Sequence, residues 1–310
     1  MMDRRAFLAT TAGLAAGPLW SRAPQRKPAT GTRLILLGTG GGPRPRNDRA
    51  ASSQVIVAGG AAYVVDCGDG VARQLALAGI PFSALRHIFL THQHSDHNAD
   101  YGNLILLAWA SGLDTRLDAW GPPPLARVTK LFFEMNAYDI ETRIADEGRP
   151  PLAPLVHVHE VTAAGPVMSD DRVKVTSAIV RHPPVEPALA FRFDAPDRSI
   201  VISGDTAPSD SLVRLARGAD VLVHEAMYLP AVDRLAARVP NARRLKAHLL
   251  ASHTSAEEAG RLAQAAGVEL LVLSHLVPAD DPSVTDQMWI EAARTHFRGP
   301  IVVGRDLLEV

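Results

Sequence analysis

Four potential metal donors, His92, His94, Asp96 and His97, stand within the single stretch Thr91–His97. No other feature narrows the folding problem so much. An apolar, strand-like run, Arg86 to Leu90, leads in, and the apolar pattern from Ile105 to Leu113 leads out. The donors therefore sit on a loop held between two packed elements. Imidazole and carboxylate together suit zinc, manganese or iron, whereas calcium takes oxygen alone. A solvated polar loop is the plain alternative, and a run this dense argues against it.

At 310 residues with 47% hydrophobic content, the chain can bury a large core, as one layered domain or as two domains. Lys and Arg total 32 against 33 Asp and Glu, a net charge of -1, so no global charge favours nucleic acid, although a local basic patch is compatible with it. The N-terminus reads Met-Met-Asp-Arg-Arg-Ala-Phe-Leu and then a small apolar run, Ala9 to Leu19. This pattern is that of a twin-arginine export signal built on Arg4 and Arg5, with residues 1–30 as signal and linker and residues 31–310 as the working domain. It predicts a periplasmic or secreted protein without a stable membrane anchor, because the apolar run is too short to span. The only cysteine, Cys67, can form no internal disulfide, and its place at a strand end predicts burial.

Along the chain, Arg33–Leu37 reads as a buried strand running into Gly38-Thr39-Gly40-Gly41-Gly42. Pro43 and Pro45 follow, so a phosphate-gripping loop opening a helix is rejected; such glycines let backbone approach closely. The strands 54–58 and 62–66 form a hairpin, residues 70–78 a helix, and residues 125–145 one long helix with Phe132, Phe133, Met135 and Tyr138 as packing side chains. His157 and His159 share one strand face, read as polar surface sooner than as an accessory metal pair. Later strands deliver ligand-type residues at their ends: His182 before a double proline, Asp205 in Ser-Gly-Asp-Thr, His224-Glu225, and His275 after Ser274. His253 precedes the helix 256–266, with Thr254 or Ser255 as its cap. Two batches of strands, each with helices, predict a two-sheet core with helices outside.

The run His92-x-His94-x-Asp96-His97, followed by His182, Gly-Asp205-Thr and His275, resembles the metallo-β-lactamase superfamily along nearly the whole mature chain. The resemblance implies a four-layer αββα sandwich, an α/β fold, with a two-metal site. It assigns His92, His94 and His182 to one ion, Asp96, His97 and His275 to the other, and Asp205 to both. Two divalent ions, zinc first with manganese or iron as alternatives, would then hold a hydroxide that hydrolyses substrate. Gly38-Thr39-Gly40, Val223-His224-Glu225-Ala226 and His253-Thr254-Ser255 are similar to the ribonuclease Z branch and the neighbouring zinc arylsulfatases. That likeness implies His253 as general acid oriented by Glu225, with Asp96 and, more weakly, His224 also catalytic.

Only 23 positions separate His182 from Asp205, where many tRNA-processing members insert an arm that grips tRNA. With the export-like start and near-zero net charge, this disfavours tRNA and points to a small anionic ester, an aryl sulfate or a phosphodiester. Arg44-Pro45-Arg46-Asn47 partly matches a basic loop of that branch and suits a phosphate or sulfate group. Lactone or β-lactam opening on the same site is the alternative chemistry, and a catalytically silent metal-binding module the alternative of another class. A homo-oligomer is compatible with all of these.

Overall fold

The structure, a computed structural model, describes residues 31–310. The expected export segment, residues 1–30, lies outside the described residues. Six strands in chain order begin the first sheet: β1 (Arg33–Gly38), β2 (Ser53–Ala58), β3 (Ala61–Val65), β4 (Leu85–Phe89), β5 (Leu117–Gly121) and β6 (Val156–Glu160). Seven more form the second: β7 (Gly165–Ser169), β8 (Lys174–His182), β9 (Val185–Asp194), β10 (Ser199–Ile202), β11 (Val221–Met227), β12 (Leu270–Val277) and β13 (Ile301–Val303). A final short strand, β14 (Leu308–Glu309), returns to pair with β1. Each sheet thus has seven strands, and each carries a parallel run: β3 to β6 in the first and β10 to β13 in the second.

The apolar run of β1 follows from this layering. Leu34 and Leu36 face the second sheet, packing with Ile56, Phe89, Phe191 and Val272, while Ile35 and Leu37 face the outer helices. A strand covered on both faces has no solvent side, so it reads as continuous rather than alternating. Between the sheets, the Phe89 ring lies edge-on to Phe191 at 5.4 Å and to Phe193 at 5.1 Å. Outside the first sheet pack α1 (Val71–Leu77), α3 (Tyr101–Ala110), α4 (Leu125–Met135) and α5 (Ala137–Glu147), while the single turn α2 (Ser95–Asn98) carries Asp96 and His97. The chain then adds α6 (Asp210–Leu215), α7 (Val232–Ala237), α8 (Leu245–Ser252), α9 (Ala256–Ala266) and α10 (Asp286–Arg294). Leu212 of α6, Ala259 and Ala263 of α9 and Trp289 of α10 cover the second sheet's outer face. The order helix, sheet, sheet, helix is the expected four-layer αββα sandwich.

The long helix expected over residues 125–145 is broken at Asn136, whose side-chain amide and backbone N–H both donate to the Phe132 carbonyl. With its φ of -102° and ψ of 11°, Asn136 leaves helical geometry and closes α4 there, and α5 begins at Ala137, although the apolar period runs across the break. Phe132 packs close over Gly102, but Met135 and Tyr138 are exposed. His159 is taken up by Asp118 at 2.7 Å and stacks on Trp120, so the strand face of His157 and His159 is polar surface. Among the described residues no helix is long and apolar enough to cross a membrane.

Candidate metal centre and active site

The carboxyl ends of parallel strands are where open α/β sheets place their ligands, and here both sheets point such ends into one cavity. From the first sheet, β4 runs into Thr91–His97. From the second, His182 ends β8, Asp205 follows β10, Glu225 lies on β11 and His275 on β12. Two ties lock the sheets together at this point: Leu189 N–H donates to the Thr91 carbonyl at 2.9 Å, and Gly204, at φ +59°, leaves no space for a Cβ against the Leu189 carbonyl and Thr91.

The ligand-type atoms of His92, His94, His182 and Asp205 all lie within 4.8 Å of one another, and so do those of Asp96, His97, Asp205 and His275. Asp205 belongs to both groups. His94 Nδ1 stands 3.1 Å from His92 Nε2 and 3.1 Å from His182 Nε2. In the other group, His275 Nε2 is 3.2 Å from carboxylate oxygens of both Asp96 and Asp205. His97 Nε2 and Asp205 Oδ1 are buried without a hydrogen-bond partner. Buried polar atoms rarely stay unpaired. Convergent nitrogen lone pairs around a shared carboxylate, with orphaned donor atoms among them, fit divalent cations of the nitrogen- and oxygen-binding kind.

Outer partners aim these rings. His97 Nδ1 meets Asp66 Oδ2 at 2.7 Å, and Asp66 in turn accepts from the Thr91 N–H at 2.8 Å. The Ser252 carbonyl accepts from His182 Nδ1 at 3.0 Å, which leaves Nε2 unprotonated and facing the cluster. Burial pushes His182 down to about 4, with neighbouring Asp205 opposing, so the ring stays neutral and free to donate a lone pair. Asp96 accepts a hydrogen bond from Gly42 N–H at 2.9 Å. The glycine loop comes this close because Gly41 has no side chain: a Cβ there would lie 2.8 Å from His275 Nδ1.

His253, the residue after α8, makes a different pair. Its Nδ1 is 2.9 Å from Glu225 Oε2 and 3.9 Å from Asp205 Oδ2. Burial alone would lower His253, but the Glu225 carboxylate, with Asp205 and Asp96, outweighs it and takes the imidazole up to about 9. Glu225 is fully enclosed and held from the other side by the Thr206 N–H at 2.6 Å. A protonated histidine beside a donor cluster can give a proton to a leaving oxygen.

His224 is not brought into the cavity. Neighbouring residues on a strand face opposite ways, and His224 Nδ1 donates to the Glu225 carbonyl at 2.7 Å, away from the donor groups. Two residues that the sequence did not single out do join the site. Asp66 is the outer partner of His97. His248 on α8 has a ligand-type atom within 4.8 Å of those of His182 and His253. Asp66 could have been suspected from its position at a strand end beside Cys67, whereas nothing in its neighbours marks His248.

The family model described as "Beta-lactamase superfamily domain" matches residues 62–276, a span that contains every one of these donors. The chain is 39% identical over 280 residues to a protein named Ribonuclease Z from Mycobacterium bovis, covering 89% of this chain and 97% of the relative. It is 38% identical to one of the same name from Mycobacterium tuberculosis, at the same coverage. Among solved structures it is similar to a metallo-beta-lactamase fold protein from Bacillus subtilis, with TM-score 0.68 and 22% identity over 90% of this chain and 98% of that one. It is also similar to the short form of human tRNase Z, with TM-score 0.66 and 20% identity over 90% of this chain and 98% of that one.

These relatives overturn two expectations. A hydrolase of small anionic esters, aryl sulfates included, gives way to a likeness with proteins named for ribonuclease activity, and tRNA can no longer be called a disfavoured partner. Both errors have a physical origin. The short span from His182 to Asp205 was read as a missing tRNA arm, yet the Mycobacterium bovis relative aligns over 280 residues with 89% of this chain and so carries no long insertion that this chain lacks. Net charge was the second misleading guide, because a sum of -1 over the whole chain says nothing of the cavity that holds the donor groups, where Arg44 and Arg46 stand in the lining.

Proposed function

Since the chain belongs to the beta-lactamase superfamily and, within it, to the ribonuclease Z family, we propose that it is a divalent-metal-dependent ribonuclease acting on tRNA. The observation that carries the chemistry is Asp205, common to both donor groups and 3.9 Å from the ring of His253. His92, His94 and His182 are the ligands proposed for one ion, Asp96, His97 and His275 for the other, with Asp205 between. Once bound, such a pair, most simply zinc, supplies Lewis acidity at the phosphoryl group and lowers the pKa of water.

The chain's own groups do the rest. Water adds its oxygen to phosphorus and gives up a proton to solvent, the bond to the leaving oxygen breaks, and His253 gives that oxygen its proton and regains one from solvent. Glu225 keeps His253 protonated until then and offsets its charge. Gly42 N–H fixes the Asp96 carboxylate, and Asp66 fixes the His97 ring, so neither must reorganise during the reaction. Burial of His92, Asp96, His97, His182, Asp205 and His275 limits contact with bulk water and strengthens these interactions.

The test is cleavage of a tRNA transcript extended at both ends by protein loaded with zinc or manganese. The reading predicts cuts at one phosphodiester, abolished by chelator and restored by metal. Failure of the loaded protein to cut any RNA would refute it.

A further inference from the structure

The cavity that holds His94, Asp96, Asp205, His253 and His275 does not end at these polar groups. It continues, with a volume of about 420 Å³, into a bay lined by Leu235, Val239, Ala242, Leu245, Leu249 and Val277. That size falls within the roughly 300 to 1,000 Å³ of small-molecule sites. The bay is a built feature: Leu249 and Val277 are buried in a small core with Met227 and Val232, and Leu235 and Leu245 pack on it half-exposed. Water and a phosphodiester need no aliphatic wall, so the wall serves what is attached to the phosphorus.

The cavity joins a polar lining, Gly41, Gly42, Arg44 and Arg46, to aliphatic side chains from α7, α8, the turn between them and β12, with His248 on α8. His253 directly follows α8 and lines the same cavity as Leu245, Leu249 and His248 of that helix, so the proposed acid borders the apolar bay. The leaving oxygen has to come within reach of His253, and whatever it carries must then extend toward α7 and α8. The His248 ring, 5.6 Å from that of His253 and nearly perpendicular to it, adds a flat polar surface to this lining.

Building on the nuclease reading, we propose that this bay receives the base of the nucleotide that carries the leaving oxygen, and that Leu235, Leu245 and His248 set specificity by holding that base out of its stack. Enzymes that take a base from its stack commonly hold it between apolar or aromatic side chains.

The experiment is calorimetric titration of the zinc-loaded full-length protein with inorganic phosphate, ribose 5-phosphate, adenosine 5′-monophosphate and adenosine 3′-monophosphate. The better of the two nucleotides should bind at least about tenfold tighter than ribose 5-phosphate, the increment expected of one well-held base. Leu235→Gln and Leu245→Gln, both at half-exposed positions, should each remove most of that increment while leaving phosphate affinity within about twofold, with unchanged melting temperatures as the control for folding. Equal binding of nucleotide and ribose phosphate, an increment that survives in both variants, or no binding of any phosphate ester would overturn the proposal. Cleavage of tRNA without a base increment would sink the bay and spare the nuclease reading. A base increment without RNA cleavage would do the reverse.

Discussion

The two sheets build their halves of the site in opposite ways. The first supplies His92, His94, Asp96 and His97 from one loop after one strand, so that neighbours in sequence are neighbours in space. The second supplies His182, Asp205, Glu225 and His275 from four different strands, β8, β10, β11 and β12, and they meet only because the sheet has formed. Asp205 joins the halves, since it stands in both donor groups. A local motif can thus announce a metal, but the second half, which depends on tertiary structure, decides how many ions bind and where the acid stands.

The comparison can be broken at several points. The largest effect is expected at the acid that follows α8 and pairs with Glu225 of the second sheet: His253→Ala should lower kcat on tRNA by about 10²- to 10⁴-fold with metal content unchanged, read by steady-state kinetics and metal analysis on the same sample. Next comes the seam between the sheets. Phe89→Ala removes the ring that meets Phe191 and Phe193 and should cost about 3 to 5 kcal/mol, read from urea unfolding, and both halves of the site should loosen together. Asp66→Asn tests the first half alone: losing the carboxylate that orients His97 should weaken metal binding or activity by about 10- to 100-fold, measured by competition with a chelating dye.

The smallest effect lies far from the cavity, at Asp118 on β5. Burial alone would raise this carboxyl, but hydrogen bonds from Arg116 and His159 prevail and bring it down to about 2. A carboxyl lowered by folding adds stability that is fully present above its ordinary value of 3.8 and fades as pH falls toward 2. Asp118→Asn should therefore be less stable than the parent at pH 6, with the gap narrowing at pH 3. A gap that does not change with pH would show that the pair contributes nothing electrostatic.

What could be read from the sequence follows the same division. The loop Thr91–His97 declared itself because its donors are contiguous, and β1 because a strand buried on both faces leaves an unbroken apolar run. The ends of β8, β10 and β12 showed ligand-type residues in the sequence, but only likeness to a family assigned His182, Asp205 and His275 to particular ions. Period-two alternation along β11 would have separated His224 from Glu225, since adjacent strand residues cannot share a face. His248 left no trace, because its place beside His182 and His253 arises from how α8 packs. The strand β14 was too short to stand out, being two residues completed by distant β1, and β7 was hidden by the Gly-Pro that opens it. Substrate was misread from what the chain lacks, an arm and a net charge, neither of which is a property of the cavity.

The central claim is that both sheets must contribute to one two-metal site through Asp205. Its most direct measurement is the number of zinc ions bound per chain, by mass spectrometry of the folded protein under non-denaturing conditions, in the parent and in Asp205→Ala. The account predicts two ions in the parent and at most one, weakly held, in the variant, with tRNA cleavage reduced to background. Two tightly held ions in Asp205→Ala, or a parent that never takes up more than one, would contradict it.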